Sequence, residues 1–116
     1  MTGGFVAVLV INLHFPDAGS LKGKRKELSS LKAQLHTRLG CAVAETEHQE
    51  LWQRATLTAA LTAGTMAQLD HQCDVVERWL DERQPQGVRV ERIVASVEDL
   101  EGFDSRISVD PEWGIG

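Results

Sequence analysis

Cysteine is scarce in this chain. Cys41 and Cys73 are the only two, and they form neither a CxxC pair nor the spaced, even set of a disulfide framework. Each reads as a small buried hydrophobe, with no disulfide and no structural metal expected. Long apolar runs are missing as well. The stretch Phe5–Ile11 is far shorter than the roughly 20 residues that cross a bilayer, no basic region precedes it, and no cleavage-like site follows it. The expectation is a mature protein of a reducing, cytoplasmic compartment. GxGxxG, GxxxxGKS or GxxxxGKT, HExxH and GxSxG do not occur, which removes the usual dinucleotide, P-loop, zinc-protease and nucleophile-elbow signatures. Positive charge is in the minority, with 12 Lys and Arg against 17 Asp and Glu and a net charge of −5. That argues against indiscriminate coating of nucleic acid.

What is there is one domain's worth of chain, 116 residues with 42% hydrophobic and 25% charged content. Phe5–His14 is rich in Val, Leu and Ile and reads as a central strand, apolar on both faces. Pro16-Asp17-Ala18-Gly19 breaks it, and Ser20 suits a helix N-cap. Leu21, Leu28, Leu31, Leu35 and Leu39 then mark an amphipathic helix of about five turns, stopped by Gly40. Cys41–Thr46 is a short strand. Arg54–Ala63 is a longer one, with Ala55, Leu57, Ala59 and Leu61 alternating against Arg54, Thr56, Thr58, Ala60 and Thr62. Thr65 caps a second helix whose stripe is Met66, Leu69, Cys73, Val76 and Leu80. Gln84-Pro85-Gln86-Gly87 ends it before a last strand, Val88–Val97. The domain is placed at 1–99, with 100–116 as a C-terminal tail.

Strand, helix, strand, strand, helix, strand is the split βαβ arrangement of an α+β sandwich. Right-handed crossovers give a four-stranded antiparallel sheet in the order 4-1-3-2, with two helices on one face. The same topology brings the start of the first helix beside the connection from Glu45 to Gln53.

Two sets of residues at that end carry the chemistry. The stretch 20–39 holds Lys22, Lys24, Arg25, Lys26, Lys32 and Arg38 against Glu27, a balance of +5 that leaves −10 for the remainder. Lys22, Lys24, Arg25 and Lys26 sit in the opening turns of a helix, where cations oppose the dipole, and Gly23 among them weakens the helix further. Such a cluster suits phosphate, and the expected ligand is structured RNA. Glu45, Glu47 and Glu50 on the neighbouring hairpin offer the competing explanation, internal neutralisation. The second set is Glu45, His48, Trp52 and Arg54. His48 with Glu45 or Glu47 has the composition of an acid–base pair, but no nucleophile and no second metal-ligating residue stand at ligand spacing. Trp52 is expected to close the end of the core. The sheet face away from the helices presents Val6, Val8, Val10 and the threonines of the third strand. With no aromatic on it, it does not suit base stacking, but it does suit pairing with a second copy.

These residues resemble the YlxP-like family of small uncharacterised bacterial proteins. The resemblance rests on Ser20-Leu21-Lys22-Gly23-Lys24-Arg25, on Val43-Ala44-Glu45, and on His48-Gln49-Glu50-Leu51-Trp52-Gln53-Arg54-Ala55. It covers about residues 5–97. It implies a ferredoxin-like fold and no established enzymatic activity; no cofactor is expected. It also implies the company of translation and ribosome-maturation factors, hence association with ribosomal RNA or a ribosomal subunit. Gly23 departs from the family pattern, in which an acidic residue commonly stands between the lysines.

Overall fold

A computed structural model of the chain describes residues 3–16, 18–85 and 87–104. The elements run β1 (Phe5–His14), α1 (Leu21–Thr37), β2 (Ala42–Glu47), β3 (Arg54–Ala63), α2 (Met66–Arg83), β4 (Val88–Ser96) and α3 (Val97–Asp104). The four strands form one sheet in the order β2-β3-β1-β4, every neighbouring pair antiparallel. This is the 4-1-3-2 ferredoxin-like arrangement expected from the alternation of strand and helix.

Period-two patterning sets the register. In β1, Ala7, Leu9, Ile11 and Leu13 are buried and Val6, Val8 and Val10 are half-buried. The pairing sets Leu9 beside Ala59 and Ile11 beside Leu57, so both strands turn their larger apolar side chains to the same face. There Leu28, Leu31 and Leu35 of α1 and Leu69, Cys73, Val76 and Leu80 of α2 complete one core. Leu61 belongs to it too. A buried Leu is worth ~1.5–3 kcal/mol over an exposed one, so this helix-facing layer holds the fold together.

The boundaries follow local chemistry. Ser20 and Thr65 cap α1 and α2 by accepting from Gly23 N and Gln68 N. Gly40 takes a φ of 72° after α1, a left-handed turn that suits glycine. Gly87 is required for space, since a Cβ there would lie 2.9 Å from His14 Cβ. One expectation about α1 is corrected. Leu21 is not part of the buried stripe but 38% exposed, and the stripe's first position belongs to Lys24, which is fully buried. After β4 a short helix, α3, runs from Val97 to Asp104 with Ser96 and Asp99 bonding each other at its start. The remainder of the tail, 105–116, lies outside the described residues, as do Asp17 and Gln86 in the two breaks.

One tie between sheet and helix left no mark in the apolar patterning. Arg92 occupies a helix-facing position of the edge strand β4, opposite Leu9. Its guanidinium meets Asp74 at 2.7 Å and Glu77 at 2.6 Å, with Asp70 at 3.7 Å. The three acids lie at i, i+4 and i+7 on α2 and form a stripe along β4. The hydrogen bond from Arg92 holds the Asp74 carboxyl below its usual range. An inward-pointing charge on an edge strand also hinders pairing with a foreign strand.

Both cysteines are buried free thiols. Burial raises the Cys41 thiol from its ordinary value of 9.0 to about 11, helped by the nearby Cys73. A folded-state value above the unfolded one stabilises fully below the unfolded value, and the contribution is lost as pH rises through the folded value. Stability measured by urea denaturation is therefore expected to fall between about pH 9 and 11. In Cys41→Ala the part of that fall due to this thiol should be absent.

Candidate functional site

The opening turns of α1 distribute their four cations in two directions, as 100° per residue requires. Lys22 and Lys26, one turn apart, stay exposed and have no ion partner among the described residues. Lys24 and Arg25 turn toward the connection between β2 and β3. Lys24 leads the buried stripe Lys24, Leu28, Leu31 and Leu35. Lys24, which the sequence groups with the other phosphate-facing cations, is therefore enclosed and not presented to a ligand.

The reason lies in the hairpin. From His48 to Gln53 the chain leaves the ladder, and its carbonyls need donors from elsewhere. His48 adopts a φ of 63°, the single left-handed non-glycine among the described residues, and Leu51 N donates back to His48 O at 3.2 Å. The turn points three carbonyls at α1. Lys24 Nζ donates to His48 O at 2.7 Å, to Leu51 O at 2.5 Å and to Gln49 O at 3.4 Å. An ammonium has three protons, and three acceptors take them. The charge is balanced by Glu45, whose Oε2 lies 3.7 Å away and whose side chain is only 8% exposed. Among the described residues Glu45 Oε2 has no hydrogen-bond partner, since the three protons of Lys24 are already placed. Its other oxygen accepts from Arg25 at 2.6 Å, and Arg25 also donates to Gln49 O at 2.8 Å. Internal neutralisation therefore accounts for Lys24 and Arg25, and it leaves Lys22 and Lys26 unengaged.

The pinned turn directs other side chains outward. Trp52 does not close the core; it is 50% exposed, and Leu51 beside it is 44% exposed. The core end is filled instead by Phe15 and Ala18 from the segment after β1. Gln53 O accepts from Phe15 N at 2.8 Å and fastens that segment to the hairpin.

His48 and Glu45 do not assemble into an acid–base pair. Glu45 faces α1, while the His48 ring lies on the other side of the sheet with Nδ1 3.0 Å from Thr56 Oγ1. Thr56 spends its proton on Asn12 Oδ1 at 2.9 Å, so His48 Nδ1 must be the donor to Thr56. The hydrogen bonds explain why Thr56 is buried on a face that is otherwise half-exposed. Arg54 is exposed at the start of β3, opposite His14 in register. Glu47 and Glu50 are exposed.

Two hollows flank this end. One, of about 710 Å³, has a floor of Phe15 and Leu31 and a rim of His14, Lys26, Gln34 and Arg83. Arg83 lies over the Trp79 ring at 5.1 Å. The other, of about 480 Å³, opens on the far face of the sheet between His14, Arg54 and Arg89. His14 borders both. Sequence reasoning missed Arg83, which the topology brings to the same hollow as Lys26, and Arg89, which it brings beside Arg54 on the far face. Among the described residues no group of three or more His, Cys, Asp or Glu could hold a metal ion, and no helix is long and apolar enough to cross a membrane.

The chain belongs to the family described as protein of unknown function (DUF503), whose model matches residues 6–94. No curated protein matches it by sequence. Among solved structures it is similar to a protein titled "De novo designed protein Foldit4". The TM-score is 0.55 at 9% identity, over 79% of this chain and 96% of that one. That likeness shows the fold alone.

Lys24→Met should lower stability by ~3 kcal/mol or more in urea denaturation, because it leaves three carbonyls and a buried carboxylate without their partner. Lys22→Gln should stay within about 0.5 kcal/mol of the parent. At Gly23 a Cβ would meet only Ser20 Oγ, at 3.6 Å. Gly23→Ala should accordingly raise stability by ~0.5–1 kcal/mol.

Proposed function

We propose that this family member is a non-enzymatic accessory factor that docks on structured RNA through the end of the molecule where α1 begins. The observation that carries the reading is the pair Lys22 and Lys26, exposed, unpaired among the described residues, and one helical turn apart at a helix N-terminus. Lys26 borders the larger hollow, and Arg83 and His14 stand on its rim. Phosphate oxygens are the complementary chemistry for cations at such a position. The acidic balance of the remaining chain makes contact with random nucleic acid weak and favours a shaped target. Trp52, held out by the pinned turn, offers a ring on which an unpaired base stacks, worth ~1–3 kcal/mol.

Compared with the cluster of Lys22, Lys24, Arg25 and Lys26, the phosphate-contacting set is reduced. Lys24 is enclosed, and Arg25 is committed to Glu45 and Gln49. The finer reading takes the partner as ribosomal RNA or a ribosome-assembly intermediate in the cytoplasm. It rests on the YlxP-like resemblance and the translation factors with which that family keeps company.

Co-sedimentation with ribosomal subunits across a salt series tests this. Lys22→Gln/Lys26→Gln should keep the parent's melting temperature and lose subunit association, with the salt dependence flattened by about two phosphate contacts. Trp52→Ala should weaken association without flattening it. Equal co-sedimentation of the double variant and the parent would show the cations to be a solvated face.

A further inference from the structure

We infer that the open face of the sheet is the contact between two copies of this chain, packed face to face with their strands antiparallel. The register places Ala42, Ala60, Val8 and Ile93 side by side, a row without a polar side chain across all four strands. Val6 and Ala95 extend the apolar surface on one side of that row and Val10 on the other. Ile93 is 49% exposed, an unusual position for a large aliphatic side chain at the middle of a strand. The helices α1 and α2 both lie on the opposite face, so neither covers this one.

Charge decides the orientation. At the end where β1 finishes, the open face carries Arg54 and Arg89 around the smaller hollow. Neither has an ion partner among the described residues. At the other end α3 begins, with Glu98, Asp99 and Glu101 exposed. A two-fold axis running along the Val8 row lays each strand antiparallel over its own copy. The basic end of one chain then covers the acidic end of the other, twice. An axis parallel to the strands would instead stack arginines on arginines. Polar Glu91, one row from the axis, falls near Ala95 of the second copy at the rim, where solvent reaches it.

The size is sufficient. β1 and β3 run about 33 Å, β4 about 30 Å and β2 about 20 Å; at about 4.8 Å per strand they give a face of roughly 550 Å², so pairing buries about 1,100 Å² in total. That clears the roughly 1,000 Å² a specific contact needs and lies below the standard size, which fits an equilibrium that responds to concentration. Lys22 and Lys26 lie on the helix side and stay uncovered, so this contact stands or falls apart from the RNA reading.

Sedimentation equilibrium of the full chain from 1 to 500 µM is the test. The parent should pass from monomer to dimer within that range. Val8→Asp and Ile93→Glu should each remain monomeric at 500 µM with circular dichroism unchanged; Ile93 sits on an edge strand, so its replacement leaves the core intact if Val8→Asp does not fold. Arg89→Glu should weaken the dimer at least tenfold, and raising salt should weaken the parent dimer. A parent that is monomeric at 500 µM overturns the proposal, whether the face is then covered by residues 105–116 or reserved for another partner. A dimer unaffected by Ile93→Glu overturns it as well. A dimer lost in Ile93→Glu but strengthened by Arg89→Glu overturns the antiparallel orientation.

Discussion

A lysine side chain with nowhere to go but inward organises the functional end of this protein. Lys24 extends from the first turns of α1 under the hairpin and gives all three of its protons to the hairpin's carbonyls. A turn that leaves the ladder must find donors, and a flexible side chain ending in three of them meets that need from a single position. Glu45 supplies the countercharge and recruits Arg25, which takes a further grip on the turn at Gln49. The left-handed backbone of His48 is tolerated because its carbonyl is caught in this way. Leu51 and Trp52 then have no place in the core and project into solvent. The surface chemistry of this end is thus a consequence of a buried charge.

The hairpin also separates the two faces of the sheet chemically. On the helix side it carries Glu45, bound to α1; on the open side it carries the His48 ring, bound through Thr56 to Asn12. The result is one carboxylate and one imidazole close in sequence but facing apart. Arg92 provides the comparable tie at the opposite edge, where a guanidinium on β4 holds three acids of α2. Each outer strand is therefore fastened to a helix by charge, β2 through Glu45 and β4 through Arg92, while the two central strands are fastened by apolar packing. The open face is left with Val, Ala, Thr and Ile, and with Arg54 and Arg89 at the end where β1 finishes.

The amino-acid sequence alone determined the architecture. Alternation in Phe5–His14 and Arg54–Ala63, the Leu stripe of α1 and the 3-4-3-4 spacing of α2 each have a single low-energy way to bury their apolar side chains. Together with Ser20, Thr65, Gly40 and Gly87 at the breaks they leave one topology. Local periodicity carries this information because burial of apolar surface is insensitive to which neighbour does the burying. The direction of the cations was not legible in the same way. Lys22, Lys24, Arg25 and Lys26 are one run in sequence, and only the helical angle combined with the position of the hairpin sends Lys24 inward, ties Arg25 to the hairpin at the surface and leaves the other two in solvent. Trp52 looked like core for the same reason: apolar character predicts burial only where the chain can reach the core, and the pinned turn prevents it. Arg92 with Asp70, Asp74 and Glu77 depends on a strand and a helix meeting across the fold. Hydrogen bonds and ion pairs are directional and act over a few ångströms, so the tertiary structure decided which polar groups met, and with that which remained free to bind.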